Sequence, residues 1–254
     1  MRGIKKFKNI HKGERCVIIG TGPSLVDTNF DLIKDEILFG CNSLFRGYKD
    51  FGISCRYYGV SDGLTMSRPH VRGLLSLDTT LFLTVTAYDY CFNNPNMCVW
   101  RSDKVISNSR DRRDLEEVSK IKPPKNLVKI GVAIKKPPYF SKDLSDGGGM
   151  GGTVVFDISL QVAYYMGFSE VYLIGCDSDY SLPFHFDGSP PDRFINNKIF
   201  DLTLPFLAYT QAKEAFEERG DKVINCTVGG KLEIFERKSL EEVFGGTDEF
   251  RQNT

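Results

Sequence analysis

Short apolar runs, each broken by glycine or polar residues, predict strands alternating with helices along most of the chain. Cys16-Val17-Ile18-Ile19 marks a first strand over 15–19. It runs directly into Gly20-Thr21-Gly22-Pro23-Ser24-Leu25, with Pro23 suited to a first helical turn. A weak, short helix is expected over 25–34. Further strands are expected over 36–41, ending at Asn42, over 57–60, ending at Ser61-Asp62-Gly63, and over 81–86. Residues 93–114 read as an irregular excursion, followed by a short helix to 120. Pro123, Pro124, Pro137 and Pro138 interrupt the next stretch, with a short strand over 128–132 and a mobile glycine-rich loop over 139–152.

Regular pattern returns at 153–167, where Val154, Ile158, Val162 and Tyr165 recur at helical spacing and Gly167 can close the helix. A buried strand over 170–175 then delivers Cys176 and Asp177. A helix over 201–219, a strand over 222–225 and a short helix over 239–244 complete the series, and 245–254 is polar and frayed. Apolar runs that end in small or polar residues are the mark of a parallel sheet with a site at its carboxyl edge. The expected fold is α/β: a single Rossmann-like domain over 1–254, with a mostly parallel sheet flanked by helices and a lid-like excursion over about 93–150.

Lys plus Arg equals Asp plus Glu at 33 each, so no global charge draws the chain to nucleic acid. The seven cysteines are scattered, without a Cys-x-x-Cys pair, which implies reduced thiols and a cytoplasmic setting. The basic start at Lys5, Lys6, Phe7 and Lys8 could touch an anionic membrane, although a solvated lead-in is the favoured reading. No run approaches the ~20 apolar residues of a membrane span.

The chemistry-bearing residues fall at the strand ends. Glycine at 20 and 22 permits close backbone approach of a ligand, and Ser24 can cap the next turn or donate to phosphate. Position 25 is Leu and no Gly-Lys-Ser or Gly-Lys-Thr is present, so neither the dinucleotide fingerprint nor a P-loop occurs. Asn42 can bond a base, ribose or phosphate, or cap a helix. Asp62 can bind ribose hydroxyls or a metal, or stabilise its turn. Gly147-Gly148-Gly149-Met150-Gly151-Gly152-Thr153 offers free N–H groups at the start of the strongest helix. It can alternatively be a flexible connector with Thr153 as a cap.

Asp177, Asp179, Tyr180 and His185 form a further group after the 170–175 strand. His185 can take a proton near neutral pH, or can be a half-buried structural histidine bonded to Asp187 or Asp179. Zinc is disfavoured, because His11 and His70 show no ligand spacing. Magnesium held by Asp177, Asp179 and phosphate stays open. Arg56, Arg68, Arg72, Arg101, Arg110, Arg112, Arg113 and Lys142 are the cations available to neutralise a diphosphate, and the sequence does not choose among them.

Taken together, CVIIGTGPSL, FGCN, GGTVVFDISLQVAYYMGFSEVYLIGCD and VINCTVGG resemble the motility-accessory-factor-type domain of unknown function. That group is related to bacterial sialyltransferases of lipooligosaccharide synthesis and contains the archaeal hydroxymethylpterin diphosphokinase. The resemblance implies a glycosyltransferase that uses a CMP-linked sugar without a required metal and passes it, by inverting transfer, to a glycan or glycolipid acceptor. It implies that Gly20, Thr21, Gly22, Pro23 and Ser24 lie against the nucleotide phosphate. Asn42 would contact the cytidine nucleotide, with Gly152 and Thr153 in the donor site. His185 would be the general base, and Asp177 would hold it or the donor hydroxyls. On the same resemblance, the family's phosphate-binding tyrosine pair would be filled by Tyr139 and Tyr180. The alternatives are a magnesium-dependent diphosphokinase, which would gather Asp62, Asp177 and Asp179 around phosphates, and a non-catalytic nucleotide-binding protein. A homo-oligomer is compatible with the aromatic residues Phe206 and Tyr209, which could pack in the core or between subunits.

Overall fold

The computed structural model describes residues 3–61, 71–75, 77–88, 92, 123, 125–131, 133, 135–179, 184–189 and 202–245. Among the described residues, eight strands form one sheet: β1 Arg15–Ile19, β2 Ile37–Cys41, β3 Tyr57–Val60, β4 Thr80–Thr84, β5 Leu127–Ile130, β6 Glu170–Ile174, β7 Lys222–Asn225 and β8 Glu236–Arg237. Their order is β5-β4-β3-β2-β1-β6-β7-β8, and each neighbouring pair is parallel. The chain therefore builds outward from β1 to β5, returns to the middle and builds the other way from β6. The reversal lies between β1 and β6, which pair along their whole length from Arg15–Glu170 to Ile19–Ile174. At such a reversal the connections leave in opposite directions and open a crevice at the carboxyl ends.

Burial on both faces explains the continuous apolar runs. Cys16, Ile18, Phe39, Tyr57 and Phe82 point to a layer holding Phe156, Ile158, Leu160, Val162 and Ala212. Val17, Ile19, Leu38, Tyr58 and Leu81 point to the opposite layer, with Leu25, Phe30, Ile33, Leu44 and Leu240. The result is a three-layer α/β/α arrangement. Its helices are α1 Tyr48–Phe51, α2 Val71–Leu75, α3 Val85–Tyr88, α4 Gln161–Met166, α5 Thr203–Glu218 and α6 Leu240–Phe244. Each fully buried aliphatic or aromatic side chain contributes about 1.5–3 kcal/mol, so the central strands form a firm base for the loops at their ends.

Three local outcomes differ from the periodicity. The helix expected over 25–34 is two 3-10 turns, Pro23–Asp27 and Phe30–Leu32. The Asn29 side chain accepts from the Asp31 N–H and starts the second turn afresh. The strand expected to reach 86 stops at Thr84, whose hydroxyl accepts the Ala87 N–H and opens α3. The helix expected over 153–167 begins as a π-helical turn, Val155–Leu160, before becoming α4 and closing at Gly167 with φ +88°. Gln161 accounts for the wide turn. Its side-chain Nε2 donates to the carbonyls of Phe156 and Asp157, inserting a side chain into the main-chain ladder. The two-residue β8 and the short α1 lie below the length at which periodicity is readable.

Candidate functional site

The turn after β1 meets the turn after β6 in direct contact. Gly20 N–H donates to Ile174 O at 2.8 Å and Gly22 N–H to Gly175 O at 2.9 Å. Ser24 N–H donates to Asp177 Oδ1 at 3.2 Å, and the Ser24 hydroxyl donates to Asp177 Oδ2 at 2.8 Å. A Cβ on Gly20 would lie 2.2 Å from Gly175 O, and one on Gly22 would lie 1.7 Å from Asp177 Oδ2. These glycines thus serve the approach of one turn to the other. The Asp177 carboxylate, only 8% exposed, occupies the start of the 3-10 turn where a phosphate was expected. Burial raises its pKa above the ordinary carboxylate value, against the two bonds from Ser24.

A strap over 184–189 is fastened across the carboxyl ends of β1 and β2. Phe186 N–H donates to Thr21 O at 3.0 Å, and Thr21 Oγ1 lies 3.2 Å from His185 Nδ1. The Phe186 ring stands 5.2 Å from that of Phe51. Asp187, held by Ser189 N–H at 3.0 Å, forms an ion pair with Arg46. Burial pushes the Asp187 pKa up, but the Ser189 bonds and the charges of Arg46 and His185 leave it below the ordinary value. Arg46 belongs to the turn after β2, four residues beyond Asn42.

Asn42 sits at the end of β2 in the left-handed region, with φ +46°. Its N–H donates to Gly59 O, and its carbonyl accepts from Tyr58 OH at 3.0 Å. Its side-chain Oδ1 is buried and has no hydrogen-bond partner among the described residues. A buried acceptor without a donor is uncommon and awaits one from a ligand or water.

The glycine-rich loop is built differently from the expected mobile cradle. Gly148 N–H donates to Gly131 O at 2.7 Å. Gly149 N–H donates to Gln161 Oε1 at 2.7 Å, and Gly151 and Gly152 N–H groups donate to Asp157 Oδ1 at 2.7 and 3.2 Å. Thr153 Oγ1 accepts from Phe156 N–H and lies 2.9 Å from Tyr209 OH on α5. Gly152 and Thr153 are therefore engaged with their own helix and α5. Desolvation raises the Asp157 pKa to about 6, against the two glycine N–H bonds. Tyr209 is buried in the core beside Phe156 and Phe235.

Thus Gly20, Thr21, Gly22, Pro23, Ser24, Asp177 and His185 are joined by direct contacts, and Asn42 stands at the neighbouring strand end. Tyr139 stacks under Lys135, with the ammonium 4.3 Å from its ring centre. Asp62, Arg68, His70, Arg101, Arg110, Arg112, Arg113 and Tyr180 lie outside the described residues, as does the Arg72 side chain. His11 shares a 2.6 Å hydrogen bond with Tyr57 and stacks on Phe168, a core role. No group of three or more His, Cys, Asp or Glu side chains able to hold a metal occurs among the described residues. Arg46, Asp157 and Gln161 escaped the sequence reading. For the last two the signal was present: polar residues four apart inside the apolar run VVFDISLQVAYY.

A search of solved structures matches this arrangement to the MAf glycosyltransferase from Magnetospirillum magneticum AMB-1. The match has a TM-score of 0.51 at 15% identity and covers 94% of the chain. The chain shares the α/β fold of that protein, a mostly parallel sheet flanked by helices. It spans 37% of the length of the MAf glycosyltransferase, so the likeness is one of architecture. No family model matches the chain, and no curated protein sequence matches it. No helix among the described residues is long and apolar enough to cross a membrane.

Proposed function

We infer that the chain is a glycosyltransferase, sialyltransferase-like in its donor, which passes a sugar from a CMP-linked nucleotide to a hydroxyl of a glycan or glycolipid. The observation that carries this reading is the buried, unpartnered Asn42 Oδ1 at the carboxyl edge of the sheet. The amino group of a cytosine base is a donor of the kind that acceptor lacks. The likeness in fold to the MAf glycosyltransferase favours the reaction class by analogy.

In this reading His185 removes the proton of the acceptor hydroxyl as the oxygen attacks the anomeric carbon. The bond from that carbon to the donor phosphate oxygen breaks with inversion, and the nucleotide leaves with the bonding electrons. Thr21 orients the imidazole through Nδ1, and Phe186 fixes the strap to the Thr21 carbonyl. Asp177 holds the β1 turn closed through Ser24.

Thermal-shift titration with CMP, CDP, UDP, GDP and ATP, each with and without Mg²⁺, tests the reading. Metal-independent stabilisation by CMP is expected. Stabilisation by ATP only with Mg²⁺ would replace it with the diphosphokinase reading. Nucleotide binding without transfer from any nucleotide sugar would leave a binding protein.

A further inference from the structure

A phosphate at this edge needs a counter-charge, and the turn after β1 has little to offer. The N–H groups of Gly20, Gly22 and Ser24 are committed to Ile174, Gly175 and Asp177, and Pro23 has none. The carboxylate at Ser24 would repel a second anion placed there. The Arg15 guanidinium grips Glu36 at the amino end of the sheet, and Arg56 lies over Tyr57 at the start of β3. Lys142 pairs with Glu218. At the carboxyl edge, among the described residues, Arg46 pairs with Asp187, Lys231 with Asp179, Arg237 with Glu233 and Lys238 with Glu236. Only the first ties the turn after β2 to the strap that carries His185.

We propose that Arg46 is the cation for the ligand's phosphate, and that Asp187 holds its place when the site is empty. A guanidinium is suited to two parallel bonds with phosphate oxygens. Arg46 is 39% exposed at its side chain, so a ligand reaches it, while Asp187 is 14% exposed and braced by Ser189. Exchange of carboxylate for phosphate keeps the guanidinium paired and leaves Asp187 to the Ser189 N–H. The strap is then still held by Phe186 N–H on Thr21 O, and His185 stays beside Thr21. The ligand class is a phosphate ester or diphosphate; its identity as a nucleotide rests on the proposed function.

Calorimetric titration with inorganic pyrophosphate, CMP and cytidine separates the two proposals. For pyrophosphate and CMP, Arg46→Gln is expected to weaken binding about tenfold or more, with Arg46→Lys intermediate and Asp187→Asn strengthening it. Cytidine, which lacks phosphate, should bind all variants alike. Equal pyrophosphate affinity in wild type and Arg46→Gln overturns the assignment, as does failure of the wild type to bind any phosphate compound. Arg46-dependent binding of pyrophosphate without binding of any nucleotide upholds the assignment and removes the nucleotide reading.

Discussion

Asp177 hydrogen-bonds Ser24 twice, once at the main-chain N–H and once at the hydroxyl. This relationship ties the first loop of the sheet to the loop after β6 at the point where strand order reverses. The glycine turn is therefore part of a packed contact between two loops of one chain. Its Gly20 and Gly22 are required by the carbonyl of Gly175 and the carboxylate of Asp177 whether or not a ligand is present.

Gly22→Ala should destabilise the fold by about 1–3 kcal/mol, the usual cost of overpacking. The new methyl would displace Asp177 from Ser24. In an Asp177→Ala background the same change should cost less, because the nearest clash is gone and only Gly175 O, at 2.8 Å, remains. Urea denaturation of the four proteins measures this coupling, and strict additivity would show that the clash is relieved elsewhere.

Gln161 takes Ser141 N–H and Gly149 N–H on one oxygen and donates to Gly149, Phe156 and Asp157 carbonyls. Gln161→Leu leaves both N–H groups buried without an acceptor, at a cost of about 2–5 kcal/mol. Amide hydrogen exchange at Ser141 and Gly149 should quicken well before exchange in β1. Unchanged protection at both positions would show that the loop is held by other contacts.

Asp157 sets a pH dependence. Its folded pKa of about 6 lies above the ordinary 3.8, so the folded state binds more protons than the unfolded state between those values. Stability from this group is present at low pH and is lost as pH rises through about 6. Asp157→Asn keeps an oxygen for Gly151 and Gly152 but cannot titrate. Its urea midpoint should therefore vary less than that of the wild type between pH 4 and 7, and parallel curves would remove Asp157 as the source.

His185→Ala should lower transfer from a CMP-sugar by about 10²-fold or more while leaving CMP affinity nearly unchanged, as expected for a general base. Asn42→Ala should do the reverse and weaken CMP binding. Single-turnover rates and calorimetric affinities of both variants separate the two roles. Equal loss of rate and affinity in His185→Ala would assign the histidine to binding.

The strands were legible because their apolar runs are local and doubly buried: β1, β3 and β7 lie where the pattern places them. Strand-end residues such as Asn42 and Asp177 were legible for the same reason, since a strand of known phase fixes where its last residue emerges. Gly149 and Gly151 looked like free N–H donors because their acceptors, Gln161 and Asp157, are 12 and 6 residues away on a helix whose π turn no periodicity announces.

Sequence alone determined the alternation of strand and helix, the α/β class and, Arg46 apart, the polar residues at the carboxyl edge. Tertiary structure alone decided which of those residues meet. Asp177 reaches Ser24 across 153 positions and His185 reaches Thr21 across 164. Arg46 finds Asp187 between two loops whose local sequences carry no mark of each other. Local patterns encode burial and turn chemistry, whereas such pairs exist only once the parallel sheet has brought the ends of β1, β2 and β6 together.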